Sequence, residues 1–241
     1  MSIGSMNRTA LEAMRLRRAP LELVIFDCDG VLIDSEALCD RVVAAELTAL
    51  GWALSAEECS TRFIGMSFHD MCPVVEEHLG RSLPDDWVNA VVARVATVMA
   101  SEVETVPGAR TVLESMDDIG LPWRVASNSS HLEMQAKFGR TGLLPLVSGR
   151  LHSADDVIAR GGRGKPAPDL FLAAAGEVPP DACLVIEDSL HGVRAAAAAG
   201  MQCLGFSRHD AGERLAAGGA VPFHDLMDLP ALFRAALETG E

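Results

Sequence analysis

The chain has 241 residues, enough for one large domain or two domains of moderate size. Its formal net charge of -14 argues against nucleic acid as a partner, because binding a phosphate backbone requires clustered Lys and Arg. A small anionic substrate is compatible with this charge, since a few local cations or a metal ion can reverse the field inside a pocket. No apolar run approaches the roughly 20 residues that span a bilayer, so no membrane association is predicted.

Residues 1–20 are predicted to form an N-terminal extension, either as a short helix or as a loose segment. They contain a capping-box pattern from Thr9 to Glu12 and lack the apolar stretch of a secretory signal. The six cysteines of the chain form no CxxC pair and no zinc-like spacing with histidine. Free thiols, and therefore a cytoplasmic location, are expected.

The apolar run Leu23–Phe26 leads directly into two acids, Asp27 and Asp29, followed by Gly30. Such a run indicates a buried parallel strand that stops at a turn. Side chains two residues apart in an extended segment point the same way, so both carboxylates are predicted at the carboxyl end of this strand. Open α/β sheets bind ligands there. Two close carboxylates repel each other unless they share a proton or a cation, which suggests chemistry; the alternative is a turn in which Asp and Gly serve only the backbone.

Four later apolar runs also look like strands that end in polar residues. Helical stretches lie between them, the clearest being Val193–Ala199, which Gly200 closes. Alternating strands and helices with polar strand ends are typical of an α/β fold with a doubly wound, Rossmann-like parallel sheet. The four runs are Trp123–Ala126, Leu144–Val147, Leu184–Ile186 and Gln202–Phe206, of which the second is the weakest.

Residues 37–105 interrupt this alternation. They contain long helix-like stretches, such as Ala37–Leu50 and Asp86–Ala100, and no convincing strand. A helical domain of residues 37–105 is therefore predicted as an insertion after the first strand of a Rossmann-like core, which would comprise residues 21–36 and 106–241.

Three further polar clusters stand at predicted strand ends or in the loops after them. Each alone has an ordinary structural interpretation: the first as a helix N-cap, the second as a surface turn and the third as another helix cap. Together with the first acid pair they supply a nucleophile, a second acid, hydroxyl and amide donors, a cation and metal-binding acids. In chain order the clusters are Ser127 with Asn128, Lys165, and Glu187 with Asp188.

These clusters resemble, in their order, the motifs of the haloacid dehalogenase superfamily, in its phosphatase and β-phosphoglucomutase-like branch. The match extends over about residues 23–206, and the helical insertion matches the helical cap domain of that branch. The matching motifs are Asp27–Val31, Ser127-Asn128, Lys165-Pro166 followed by Pro168-Asp169, and Glu187–Ser189 with Gly192.

The resemblance implies a role for each motif. Asp27 would be the nucleophile that forms an aspartyl phosphate, and Asp29 would be the general acid and then the general base. Lys165 would neutralise charge between Asp27 and the phosphoryl group. Ser127 and Asn128 would bind phosphoryl oxygens.

The resemblance also implies Mg²⁺ as the cofactor. Asp188, with help from Glu187, would hold the ion together with Asp27 and the backbone carbonyl of Asp29. These are hard oxygen ligands, which suit Mg²⁺.

The segment Phe63–Asp70 resembles the cap loop that reaches into the active site in this family. Gly65, Met66 and His69 are predicted on this basis to bind substrate, although a solvent-facing His69 is the alternative.

Two departures weaken the interpretation as a mutase. Mutases of the β-phosphoglucomutase type carry an Arg in this loop that grips a second phosphate, and the matching position here is Phe68. They also carry a His shortly after the first motif, where this chain has Cys39.

The leading prediction is therefore a Mg²⁺-dependent phosphatase of a small phosphorylated metabolite, acting as a monomer or weak homodimer. The stretch Val125–His131 further resembles phosphatases of sugar phosphates or sugar-acid phosphates such as 6-phosphogluconate. The alternatives are a phosphomutase and a non-catalytic phospho-receiver or metal-dependent binding module. Dehalogenation is disfavoured, because it does not need the acid pair Glu187 and Asp188.

Overall fold

The computed structural model describes residues 5–15, 17, 19–63, 66 and 68–237. The chain divides into two compact units, which we call the core unit and the helical unit. Met1–Ile33 and Thr105–Glu241 make up the core unit, and Asp34–Glu104 make up the helical unit. Among the described residues, no helix combines the length and the apolar character that crossing a lipid bilayer requires.

The described strands are β1 (Leu23–Phe26), β2 (Ile33–Asp34), β3 (Glu104–Thr105), β4 (Trp123–Ser127), β5 (Leu151–Ser153), β6 (Cys183–Glu187), β7 (Gln202–Phe206) and β8 (Val221–Phe223). The described α-helices are α1 (Ser5–Arg15), α2 (Glu36–Leu50), α3 (Ala56–Phe63), α4 (Phe68–Leu79), α5 (Trp87–Glu102), α6 (Ala109–Ile119), α7 (His131–Arg140), α8 (Leu144–Val147), α9 (Ala154–Ile158), α10 (Asp169–Ala175), α11 (Leu190–Ala198), α12 (Glu213–Ala217) and α13 (Leu229–Leu237).

The core unit is built on a six-stranded sheet in the order β5-β4-β1-β6-β7-β8, with every pairing parallel. All four residues of β1 are buried, as expected for a central strand covered on both faces. Phe26, its last residue, pairs with Val125 of β4 and Ile186 of β6. This register brings the carboxyl ends of β1, β4 and β6 side by side, and it confirms the predicted doubly wound α/β fold.

The predicted strand Leu144–Val147 was wrong, because this run forms the short helix α8. Pro145 lies in the first turn of that helix, where its fixed φ favours helix and its missing N–H breaks no bond. Within a strand the same residue would remove a ladder hydrogen bond. The strand beside β4 is instead Leu151–Ser153, which is too short to stand out as an apolar run.

The predicted long helices of the insertion are present as α2 and α5. The helical unit has an apolar core of its own, to which α2, α3, α4 and α5 all contribute. Fully buried residues of this core include Leu47, Cys59, Val75 and Val91.

The N-terminal residues of the described chain are helical, because α1 spans Ser5–Arg15. The helix packs against β8 and α13 and buries Ala10, Leu11 and Met14. Arg17 follows it and donates hydrogen bonds to the side chain of Gln202 and to two backbone carbonyls, those of Asp181 and Cys183. This segment is thus attached to the sheet of the core unit.

Candidate active site

A buried lysine joins the ends of three strands. Lys165 Nζ donates to Asp27 Oδ1 at 2.5 Å, to Glu187 Oε1 at 2.8 Å and to the carbonyl of Ala126 at 2.8 Å. An ammonium group has three protons, so each has an acceptor. The side chains of Lys165 and Glu187 are 4% and 1% exposed, which removes the solvent that would otherwise screen these charges.

Burial, together with the neighbouring charges, perturbs the ionisation of Asp27. Burial raises the pKa of Asp27 to about 7; Lys165 opposes the change, and repulsion from Glu187 and Asp29 adds to it. Although burial favours the neutral amine, the carboxylates of Asp27 and Glu187 raise the pKa of Lys165. Lys165 therefore stays charged, and its one positive charge is shared between two acids.

Asn128 positions the loop that carries Lys165. Its side-chain Nδ2 donates to the Lys165 carbonyl at 3.1 Å, and its Oδ1 accepts from the Lys165 backbone N–H at 2.9 Å. Gly164 makes this close approach possible, since a Cβ there would lie 2.7 Å from Asn128 Oδ1. Both polar groups of the Asn128 side chain are thus engaged with the backbone of Lys165.

Glu187 is held from both sides. Oε1 accepts from Lys165, while Oε2 accepts from the backbone N–H and the hydroxyl of Ser189 at 2.8 and 2.9 Å. Ser189 also caps α11, because its hydroxyl oxygen accepts from Gly192 N. The carboxylate therefore ties Lys165 to the start of α11.

Three carboxylates of the core unit lie close enough to share a cation. One oxygen each from Asp27, Glu187 and Asp188 falls within a common distance of 4.8 Å. Within this group, Asp27 and Glu187 are both ion-paired with Lys165. An all-oxygen, carboxylate-rich set fits a hard divalent cation such as Mg²⁺.

Asp29, the second acid of the first motif, contacts a different lysine from the one that contacts Asp27. Lys137 Nζ donates to Asp29 Oδ1 at 2.7 Å, and the hydroxyl of Ser129 donates to Asp29 Oδ2 at 2.9 Å. Lys137 also donates to Ser129 Oγ at 3.0 Å, which closes a triangle of polar groups. Ser127 Oγ lies 3.5 Å from Asp29 Oδ2 and accepts from the Ser129 backbone N–H at 3.0 Å.

Sequence reasoning missed Lys137 and Ser129. A signal for the lysine was present, because the 20 basic residues of the chain include only two lysines, Lys137 and Lys165. Each of them contacts one of the two acids of the first motif. In a chain that otherwise uses arginine, a lysine indicates a position where a compact ammonium group is required.

The predicted cap-loop residues belong to the helical unit. Gly65 and the side chain of His69 lie outside the described residues. Met66 is 39% exposed, and its backbone N–H donates to the Phe63 carbonyl. Phe68, the first residue of α4, packs against the apolar core of that unit.

Comparison with known proteins identifies the class of protein. Residues 21–200 match the haloacid dehalogenase-like hydrolases, so the chain belongs to that family of hydrolases, as its motifs predicted.

Individual relatives cover almost the whole chain. The 6-phosphogluconate phosphatase of Escherichia coli (strain K12) is 31% identical over 218 residues, which are 89% of this chain and 96% of that protein. A hydrolase of the family from Deinococcus radiodurans R1, solved with bound phosphate and sodium, is 31% identical with a TM-score of 0.77 over 91% of this chain and 98% of its own. A putative β-phosphoglucomutase from Thermotoga maritima is 25% identical with a TM-score of 0.72, over 89% and 99% respectively.

Proposed function

We propose that this chain is a Mg²⁺-dependent phosphatase that hydrolyses a small phosphorylated metabolite through an aspartyl phosphate on Asp27. The observation that carries the proposal is the buried contact of Lys165 with Asp27 and Glu187, next to Asp188, in a family of hydrolases. A nucleophilic carboxylate needs a fixed cation that offsets its repulsion from a phosphoryl group, and Lys165 supplies one.

In the first half of the reaction, Asp27 attacks phosphorus with a carboxylate oxygen. The bond from phosphorus to the leaving oxygen breaks, and Asp29 donates its proton to that oxygen, so the product leaves as an alcohol. The backbone N–H of Asp27 donates to the Ile186 carbonyl at 2.9 Å, which continues the sheet ladder and fixes the nucleophile at the strand end. Ser127 and the backbone N–H of Asn128 bind phosphoryl oxygens.

In the second half, Asp29 takes a proton from a water molecule whose oxygen attacks the same phosphorus. The bond from phosphorus to Asp27 breaks, inorganic phosphate leaves, and Asp29 is protonated again for the next cycle. The two acids thus divide the work, since Asp27 forms the covalent bond and Asp29 moves the proton.

Mg²⁺ would be held by Asp27, Asp188 and the Asp29 carbonyl, with Glu187 beside it, and it would offset charge on the phosphoryl oxygens. Lys165 donates to Asp27 and orients its carboxylate, and Glu187 in turn accepts from Lys165.

The substrate class that we propose is a sugar phosphate or sugar-acid phosphate in the cytoplasm. The 31% identity to a 6-phosphogluconate phosphatase over nearly the full length of both proteins supports this choice.

The test is a panel of phosphorylated metabolites assayed for phosphate release with Mg²⁺ and with EDTA. We expect Mg²⁺-dependent release from wild type and from the control D118N, which changes an exposed acid of the core unit. We expect D27N to lose at least about 10³-fold in kcat, because no neutral amide replaces a nucleophilic carboxylate. Substantial turnover by D27N, or equal turnover in EDTA, would contradict the proposal.

A phosphomutase is the second candidate, favoured by the likeness to a putative β-phosphoglucomutase. A mutase transfers the phosphoryl group between two positions of a sugar and releases little free phosphate. Incubation with phosphosugar isomers, followed by ³¹P NMR, separates the two reactions. Interconversion of isomers that exceeds phosphate release would favour the mutase.

A further inference from the structure

The contacts of Asp29 distinguish its two carboxylate oxygens. Oδ1 accepts from Lys137 Nζ at 2.7 Å, whereas Oδ2 accepts from the hydroxyl of Ser129 at 2.9 Å. An ammonium group only donates, so an oxygen bound to it is a poor place for a proton. A hydroxyl can turn to donate or accept, so it tolerates both a bare and a protonated Oδ2.

The position of Lys137 is determined by the fold. It lies on α7, whose start is fixed by a capping box between Ser130 and Glu133. Its neighbours Met134 and Phe138 are buried, and the lysine side chain itself is 10% exposed. A buried lysine requires a partner, and the contact with Asp29 provides one.

Lys137 has a close counterion. Its ammonium nitrogen lies 2.7 Å from Asp29 Oδ1, and the side chains of the pair are 10% and 31% exposed. Lys165 donates to Asp27, Glu187 and the carbonyl of Ala126, so the two lysines contact different acids.

We propose that Lys137, together with Ser129, is a positioning residue that fixes the Asp29 carboxyl group so that Oδ2 is the oxygen that gives and takes the proton. The role rests on the proposed function, because it assigns Asp29 the proton transfers of a phosphatase. Lys137 acts through Asp29 and does not contact the reacting atoms in this scheme.

The kinetic test uses leaving groups of different basicity. A nitrophenolate leaves without a proton, whereas an alcohol needs one, so only the second depends on a well-aimed general acid. We expect K137M to lower kcat/KM by about 100-fold for phenyl phosphate and for the sugar phosphate that wild type prefers, and by less than about 10-fold for p-nitrophenyl phosphate. K137R should recover part of the loss, and the control R160M, which removes an exposed charge, should match wild type. An equal loss for every leaving group, or no loss, would overturn the positioning role.

A second measurement does not depend on turnover or on the folding of K137M. With only two lysines, a protein labelled with ¹³C at the lysine ε carbon gives two signals, and K137R identifies one by removing it. We expect D29N to move the Lys137 signal more than the Lys165 signal. A shift of the Lys165 signal alone, or of neither, would overturn the pairing. If wild type releases no phosphate from any ester, the proposed function fails and the positioning role with it, while a shifted Lys137 signal would still establish the contact.

Discussion

The carboxylate of Asp188 fills the space that a side chain on residue 30 would need, and residue 30 is a glycine. A Cβ on Gly30 would lie 1.8 Å from Asp188 Oδ2, far inside van der Waals contact, and Gly30 has a φ of +80°. The glycine that follows the first acid pair therefore makes room for an acid that arrives from the end of β6, more than 150 residues later in the chain. The two motifs are coupled sterically as well as chemically.

The substitution G30A tests this coupling. We expect it to displace Asp188 and to abolish the rise in Tm that Mg²⁺ gives to wild type, because that rise depends on binding to the folded state alone. G120A is a matched control, since Gly120 has a φ of +73° and open space around its Cβ position. Both variants should lose about 1 kcal/mol from backbone strain. A normal Mg²⁺ response in G30A would contradict the coupling.

Removing the charge of Lys165 should destabilise the core unit. K165M leaves Asp27 and Glu187 buried without their cation, and we expect the free energy of unfolding to fall by about 3–5 kcal/mol in urea titrations. The comparison is E114Q, which breaks the ion pair of Glu114 with Arg110, whose partners are both about half exposed. That variant should lose less than about 1 kcal/mol. Equal losses in the two variants would show that burial does not strengthen the Lys165 contacts.

The raised pKa of Asp27 predicts how stability depends on pH in EDTA. The folded state holds a proton on Asp27 up to about pH 7, whereas the ordinary value is 3.8. The folded state therefore binds more protons across this window, and its stability falls as pH rises through it. Between pH 6 and 8, wild type should lose about 1 kcal/mol more than D27N.

The control for this pH effect is D118N, which should keep the wild-type pH dependence. Saturating Mg²⁺ should reduce the effect, since a bound cation favours the carboxylate. Parallel curves for wild type and D27N in EDTA would contradict the raised pKa.

The two acids at the end of β6 should differ in their importance for the metal. Both oxygens of Glu187 already have donors, from Lys165 on one side and Ser189 on the other. We expect D188N to abolish Mg²⁺ binding in calorimetric titrations, and E187Q to weaken it by about 10–100-fold, as changes behind a metal ligand commonly do. Stronger impairment in E187Q than in D188N would reverse this assignment.

The fold could be predicted from sequence where local pattern and tertiary position agree. Buried strands such as Leu23–Phe26 are continuous apolar runs, and the polar residues after them mark the edge of the sheet that carries the site. The strand predicted at Leu144–Val147 was wrong because its apolar pattern fits both a helix and a strand. The position of Pro145 in the first turn decides in favour of the helix.

The part of the site that escaped prediction depends on contacts between distant segments. Lys137 lies 108 residues from Asp29 in sequence, and on its own helix it stands between apolar neighbours with no local reason to be functional. Asn128 was expected near the phosphoryl group, but its side chain binds the backbone of Lys165, a relationship that no local motif encodes. Side chains that position other side chains show their role only when the chain is folded.

The scarcity of lysine has a practical consequence for handling the protein. Both ε-amino groups are buried in ion pairs, with side chains 10% and 4% exposed, so acylating reagents such as succinimidyl esters should react slowly with both lysines on the folded chain. The positive charge on its surface is instead carried by guanidinium groups, which these reagents leave alone. The rate at which the two lysines become acylated would then report how often the polar centre of the core unit opens to solvent.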